Sequence, residues 1–364
     1  MSGESTPGDR ARPITIAVDA MGGDHAPTVI VEGAVAAADA FGIDVILTGR
    51  YTQLKQLLAA QAQAANGAQR PAPRGQVRIS AAEDSLAMDE GALASLRRPR
   101  SSAAIACQLV RRGQAEAVVS AGSTGGIVAT ARLRLRSLPG VMRPGLAVVL
   151  PTRPGPTLLV DAGATADPKP EMLLAFAQLG VAYAQVAYGI AEPRVGLLTI
   201  GSEPGKGNRL TRRAHELLAS AAQHGGLPLR FVGNVEGGDL LSAKADVIVT
   251  DGFTGNVALK TLEGAAAFAT EQMRAALTGS AAARFGALFQ RRGLRDLAGR
   301  MDAETYGGAA LLGLEGTVVI AHGASTAKGV TSACRLAADL AKGQITEKIK
   351  ERFGPARDRH FLRR

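Results

Sequence analysis

Apolar and polar positions along the chain sort into a recurring unit: a short β-branched run, a polar turn bearing glycine, then a longer stretch with apolar residues at helical spacing. ITIAVD (Ile14 to Asp19) reads as an interior strand, and the Ala- and Val-rich stretch Thr28 to Phe41 as a helix ended by Gly42. Strands at Ile43 to Gly49 and Val77 to Ser80, with a helix from Thr52 to about Ala65 and a Pro/Gly/Gln linker from Gly67 to Gly75 between them, complete a βαβαβ opening. A helix over Gly91 to Arg112, interrupted near Pro99, leads to a strand at Ala115 to Gly122 and a helix at Ile127 to Leu135. Leu146 to Leu150 and Thr157 to Val160 flank a proline-rich turn and read as a hairpin-like pair, so the sheet is expected to be mixed.

The second half repeats the unit. Met172 to Tyr188 is a helix with Phe176, Leu179 and Tyr183 on its core stripe, and Val195, Leu197, Leu198 and Ile200 form a buried-looking strand. A helix at Thr211 to Gln223, strands at Leu229 to Asn234 and Asp246 to Gly252, a helix from Asn256, a strand at Thr317 to Gly323 and a helix at Thr326 to Leu340 follow. The order predicts an α/β fold, a three-layer α/β/α sandwich on a mixed, mostly parallel sheet. Glycine-bearing loops at the strand ends are expected to gather at the carboxyl edge, where open α/β sheets bind ligands.

One segment breaks the pattern. Ala265 to Arg300 has no strand signal; Met273, Leu277, Phe285, Leu288 and Phe289 alternate with Arg274, Arg284, Arg291 and Arg292, predicting a protruding basic amphipathic helical pair. Such a pair suits an oligomer interface or attachment to an anionic membrane surface, and the two uses are compatible. Residues 1–12 read as disordered and 348–364 as a solvated basic tail.

Composition narrows the partners. A net charge of +10 favours something acidic, but 4 % aromatic residues, no Trp and no nucleic-acid motif argue against nucleic acid. No run approaches the ~20 apolar residues of a membrane span, and the N-terminus lacks the apolar centre of a signal peptide, which predicts a cytoplasmic protein. Cys107 and Cys334 lie far apart in helix-like contexts and read as reduced core thiols rather than a disulfide, a metal site or acyl carriers. The five histidines form no metal-binding spacing, and no metal or cofactor is expected.

The candidate chemistry centres on VGLLTIGSEPGKGNR (Val195 to Arg209), an anion cradle in which Gly201, Gly205 and Gly207 free the backbone, Lys206 adds a charge, and Asn208 or Thr211 caps the next helix. GSEPGK is one residue short of the Walker spacing and Gly207 stands where a magnesium-holding hydroxyl belongs, so an NTP-hydrolysing loop is disfavoured. AMGGD lacks the dinucleotide spacing, and no G-x-S-x-G elbow occurs. What remains suits binding and positioning a phosphate-like anion.

Taken together, DAMGGDHAP (Asp19 to Pro27), SAGSTGG (Ser120 to Gly126), LLTIGSEPGKGN (Leu197 to Asn208), FVGNVEGGD (Phe231 to Asp239), DGFTGNVALK (Asp251 to Lys260) and GGAALLG…HGAST (Gly307 to Thr326) resemble, in order and spacing, the bacterial phosphate acyltransferase family (PlsX). The resemblance covers about Ile14 to Lys342 and implies one catalytic domain over 13–347. It implies a fold similar to phosphotransacetylases and isocitrate or isopropylmalate dehydrogenases, usually homodimeric. It also implies an activity that converts acyl-[acyl carrier protein] and inorganic phosphate into acyl phosphate and free carrier protein, at the start of phosphatidic acid synthesis. The implied partners are the carrier protein, a downstream membrane glycerol-3-phosphate acyltransferase and the inner face of the cell membrane. Two motifs depart from the family pattern: Ser123 stands where Asn is usual, and DAGATAD (Asp161 to Asp167) is looser than the common DLGAN form.

On this reading Lys206, Asn208, Lys260 and His322 are the catalytic candidates. Asp19, Gly22, Gly23, Asp24, Ser123, Thr124, Gly125, Gly201, Gly205, Gly207, Asn234, Asp251, Gly252, Asn256 and Ser325 are substrate-binding candidates. Phe285, Leu288, Phe289, Arg291 and Arg292 are candidates for membrane or partner contact, and the apolar Phe268 to Leu297 region for the acyl chain. Two other readings stay open: a phosphotransacetylase-like enzyme using acyl-CoA, and a non-catalytic membrane-associated scaffold for lipid synthesis.

Overall fold

The computed structural model describes residues 12–66, 74–152, 155–223, 229–294, 299 and 303–354. Its first half runs β1 (Thr15–Asp19), α1 (Thr28–Phe41), β2 (Asp44–Gly49), α2 (Tyr51–Asn66), β3 (Val77–Ala81), α3 (Ala92–Arg97), α4 (Ser102–Arg111), β4 (Ala117–Ser120), α5 (Thr124–Leu135), β5 (Gly145–Leu150) and β6 (Thr157–Val160). The second half runs α6 (Pro170–Tyr188), β7 (Arg194–Leu198), α7 (Arg209–Gln223), β8 (Arg230–Val235), β9 (Val247–Val249), α8 (Gly252–Thr278), α9 (Ala281–Phe289), β10 (Ala309–Leu312), β11 (Thr317–Ile320), α10 (Ala327–Lys342) and α11 (Ile345–Phe353).

Period-two alternation sends neighbouring strand residues into two separate cores. Ile16, Val18, Val45 and Leu47 face one, with Phe176 and Tyr183 of α6, while Ala17, Ile46 and Val118 face the other, with Cys107 of α4 and Ile127 of α5. Helices therefore cover both faces, and the fold is the expected three-layer α/β/α sandwich. The eleven strands lie in the order β3-β2-β1-β4-β11-β10-β5-β6-β9-β7-β8.

The ladder overturns one expectation. Pairing is antiparallel at β11/β10, β10/β5 and β5/β6 and parallel elsewhere. An odd number of reversals separates β1, β4 and β11 from β6, β9, β7 and β8, so the carboxyl ends of these two strand groups lie on opposite edges of the ladder. The glycine-bearing loops form two clusters instead of one row.

Four local readings are also corrected. β10 pairs with both β11 and β5; its run AALL is too short and too rich in Ala to signal a strand. Ile200 follows β7 and is 84 % exposed, because the strand ends at Leu198 and the cradle loop has begun. α8 starts at Gly252, where Asp251 supplies the cap, so Asn256 sits inside the helix. The tail predicted from Lys348 is helical to Phe353 in α11, which buries Ile345 and Ile349; residues 1–11 and 355–364 lie outside the described residues.

Candidate active site

The first cluster forms at the ends of β1, β4 and β11. The Asp24 amide donates to the Gly323 carbonyl (2.8 Å), joining the first loop to the last. Gly22 approaches Asp19, Ser120 and the Gly122 amide so closely that any side chain would collide with them. Gly23 has φ 116° against Ala121, a conformation and space that suit glycine. Beneath them Asp19 is buried and accepts from the Ser120 hydroxyl (2.7 Å) and the Met21 amide (3.2 Å). Burial pushes its carboxyl above the usual range, opposed by these hydrogen bonds.

Ser123 is a structural cap here. Its hydroxyl donates to the Glu90 carbonyl (2.8 Å) and accepts from the Gly126 amide (3.3 Å), tying the segment before α3 to the start of α5. Helix geometry leaves the amides of Thr124 and Gly125 without intrahelical partners, and both residues are exposed. His322 is exposed two residues past the end of β11, which pairs with β4 (Ile320 opposite Ser120); its Nδ1 accepts from the Ala324 amide (3.2 Å), so in the neutral ring Nε2 carries the proton. Ser325 is buried, and its amide donates to the His322 carbonyl (2.9 Å).

The second cluster forms at the ends of β6, β9, β7 and β8. Its centre is Asp161, a residue the sequence reading assigned no role. Its Oδ1 accepts from the amides of Leu146, Gly163 and Ala164 at 2.9–3.0 Å, and its Oδ2 from Thr165 at 2.7 Å. Burial pushes this carboxyl up as well, against the pull of the four amides. The first turn of α8 lies directly on this loop, with Gly252 donating to the Thr165 carbonyl (2.9 Å) and Gly163 facing Asn256. Asp251 accepts from the Thr254 amide (2.8 Å), so a carboxylate already fills the helix end where an anion would sit.

Lys260 lies farther along α8, exposed and paired with Glu263 (2.6 Å), about 12 Å from the helix start at 1.5 Å per residue. Asn208 caps α7 through the Thr211 amide (2.9 Å), answering the choice between Asn208 and Thr211. Gly201 lies under the folded Lys206 side chain, Gly207 (φ 102°) against the Thr211 hydroxyl, and Gly205 in open space. Lys206 is exposed in the loop that leads into α7, whose first amides, Arg209 and Leu210, helix geometry leaves unpaired. Asn234 is buried with both ends of its amide engaged inside the protein.

Among the described residues no hydrogen bond or ion pair links one cluster to the other, and no group of His, Cys, Asp and Glu is arranged to hold a metal. Cys107 and Cys334 are buried, and burial pushes both thiols up to about 12, far from a reactive thiolate at neutral pH. Asp161 was legible in principle: an Asp two residues before a Gly at a strand end is the sequence form of an Asx turn.

The fold as a whole matches solved structures. The chain superposes on a phosphotransacetylase from Streptococcus pyogenes with a TM-score of 0.58 at 17 % identity, covering 91 % of this chain and 94 % of that one. It superposes on the EutD phosphotransacetylase from Staphylococcus aureus with a TM-score of 0.55 at 16 % identity, covering 90 % and 94 %. At such identity the likeness defines the class of fold: an α/β protein of phosphotransacetylase architecture.

Sequence carries the assignment further. Residues 14–348 match the family model described as "Fatty acid synthesis protein". The chain is 62 % identical over 340 residues to the phosphate acyltransferase of Thermobifida fusca (strain YX), covering 93 % of this chain and 91 % of the relative. It is 42 % identical over 342 residues to that of Desulfitobacterium hafniense (strain DSM 10664 / DCB-2), covering 92 % and 96 %. The chain belongs to the phosphate acyltransferase family, and it is an acyltransferase.

Proposed function

We propose that the protein transfers an acyl group from acyl-[acyl carrier protein] to inorganic phosphate, giving acyl phosphate and free carrier protein at the start of phosphatidic acid synthesis. The observation that carries the reading is the β7–α7 loop, where an exposed Lys206 precedes by three residues a helix start with two unpaired amides. Phosphate held there attacks the thioester carbonyl. A tetrahedral oxyanion forms, and the C–S bond breaks to release a thiolate whose pKa near 8.5 lets it leave without a strong acid. The unpaired Thr124 and Gly125 amides and the Nε2 proton of His322 are donors for an anion in the other cluster. Twist of roughly 20° per strand accumulates over the five steps from β4 to β9, turning the second group of strand ends toward the side of the first and favouring a cleft between the clusters as the reaction site.

Thioester loss measured with acyl-carrier protein and with acyl-CoA, each with and without phosphate, tests the substrate assignment. Phosphate-dependent loss of the carrier thioester is expected; preference for acyl-CoA would move the protein to a phosphotransacetylase-like role, and no turnover of either would leave a scaffold. Lys206→Ala is expected to lower kcat/KM for phosphate roughly a hundredfold. An unchanged value would show that the cradle lies elsewhere, with the α5 start and His322 as the next place to look.

Of the 27 residues of α8 only Gly252 and Gly255 are buried, leaving Phe253, Val257, Phe268 and Met273 exposed. Phe285, Leu288 and Phe289 of α9 are exposed as well, followed by Arg291 and Arg292; the rest of the predicted segment to Arg300, apart from residue 299, falls outside the described residues beyond 294. No described helix is long and apolar enough to cross a membrane. These faces support a homodimer and peripheral attachment to the anionic inner face of the cell membrane, where acyl phosphate would pass to a membrane glycerol-3-phosphate acyltransferase. Flotation with anionic liposomes should be lost when Phe285, Leu288 and Phe289 become Ser; binding that survives all three changes would assign the face to protein contact alone.

A further inference from the structure

Lys206 reaches the exposed side of its loop from a turn closed by one hydrogen bond. The Lys206 amide donates to the Glu203 carbonyl (3.0 Å), and Pro204 and Gly205 fill the two central positions, the residue types such a turn favours. All four residues of the turn are exposed, with nothing near Gly205, so no core contact holds it in place. The same carbonyl takes a second, shorter hydrogen bond from Asn234 Nδ2 (2.7 Å), which comes from the end of β8 and is 3 % exposed.

A carbonyl can only accept, so the end of the Asn234 amide that meets it is fixed as the nitrogen. Oδ1 must then face the other way, toward His215 Nδ1 at 2.8 Å, and that ring nitrogen must carry a proton. His215 projects from α7, and its ring packs edge to face on Phe231 of β8 at 5.1 Å between centroids. The donor chain therefore runs from His215 to Asn234 to the carbonyl that closes the Lys206 turn. Both neutral Nδ1–H and doubly protonated imidazole can donate, so the chain works in either charge state of the ring.

We propose that Asn234, held by His215, is a positioning residue that fixes the Glu203–Lys206 turn and so sets where Lys206 meets the phosphate. The proposal rests on the reading of Lys206 as a phosphate ligand. Neither side chain needs to touch substrate, because both ends of the Asn234 amide are already occupied.

The test compares His215→Ala, His215→Gln, Asn234→Asp and Lys206→Ala by steady-state kinetics with phosphate and with acyl-carrier protein varied separately, and by thermal unfolding. Asn234→Asp keeps the shape and the contact to His215 but places an oxygen against the Glu203 carbonyl, replacing attraction by repulsion. It is expected to raise KM for phosphate about tenfold or more, with KM for the acyl donor unchanged. His215→Ala should give a smaller rise of the same kind. His215→Gln, whose amide nitrogen can still donate to Asn234 Oδ1, should recover most of it. A KM for phosphate that stays at the wild-type value in Asn234→Asp would overturn the proposal. So would a loss spread equally over both substrates and tracking the fall in melting temperature, since that is the pattern of general destabilisation. The underlying reading fails separately: if Lys206→Ala leaves phosphate kinetics untouched while Asn234→Asp alters them, the turn matters but Lys206 is not its purpose.

Discussion

The two loop clusters are built by different means from similar residues. At the ends of β1, β4 and β11, main chain meets main chain: Asp24 on Gly323, Ala321 on Ser120, with glycines where the loops touch and one buried carboxylate below. At the ends of β6, β9 and β7, side chains carry the load: Asp161 gathers four amides, Asp251 and Asn208 each cap a helix, and Asn234 ties down a turn. In both clusters most of the polar residues that look like ligands in the sequence are engaged in holding loops. The groups left over for an anion are few: two helix-start amides and His322 in one cluster, two helix-start amides and Lys206 in the other.

If the second cluster depends on side chains, its keystone should be the costliest to remove. Asp161→Ala strands four amides in a buried site, and chemical denaturation should show a loss of roughly 3 kcal/mol or more. A loss under 1 kcal/mol would mean that water replaces the carboxylate and that the clusters do not differ as described. In the first cluster the buried carboxyl should reveal itself through pH. Asp19 has a raised carboxyl in the folded protein, so its folded form holds a proton that the unfolded chain, titrating near 3.9, releases earlier. Its contribution to stability is fully present below that value and is lost as pH climbs through the raised folded one. Relative to Asp19→Asn, wild type should thus lose about 1.4 kcal/mol for each unit by which the folded value is raised, read as the difference in urea midpoints between acid and neutral pH. A difference flat with pH would show that the carboxyl is not perturbed.

Two smaller effects sharpen the contrast. Asp251→Ala removes the cap of the helix whose first turn lies on the Asp161 loop and should cost about 1 kcal/mol, with Asp251→Ser recovering most of it in thermal unfolding. Ile200→Ser should change stability by less than about 0.5 kcal/mol, since the side chain is 84 % exposed. A larger loss would mean that Ile200 is covered in the working protein.

Much of this was legible from local pattern. The span of α1 and its stop at Gly42, the break near Pro99, the antiparallel pair β5/β6 and the buried stripe of α6 all follow from periodicity and from turn residues. Strand order was not, because β10 is a four-residue run without β-branched side chains, and without it nothing in the sequence sets β5 one strand away from β11. Roles within the loops were not legible either. An Asn or Asp beside glycines serves equally as ligand, cap or tether, and only the partner across the sheet decides, as His215 does for Asn234.

The placement of β11 bears on how the chain is made. This last strand lies between β4 and β10, and α10 behind it packs on α1, where the Thr331 hydroxyl donates to the Gly33 carbonyl (3.0 Å) across 298 positions. During synthesis β4 has nothing to pair with on one side until residue 320 has left the ribosome, and α1 keeps an apolar face uncovered until about residue 340 follows. Contacts of such range form slowly. A nascent chain arrested before β11 should therefore be open to protease across its first hundred residues, and full protection should arrive only with the C-terminal helices.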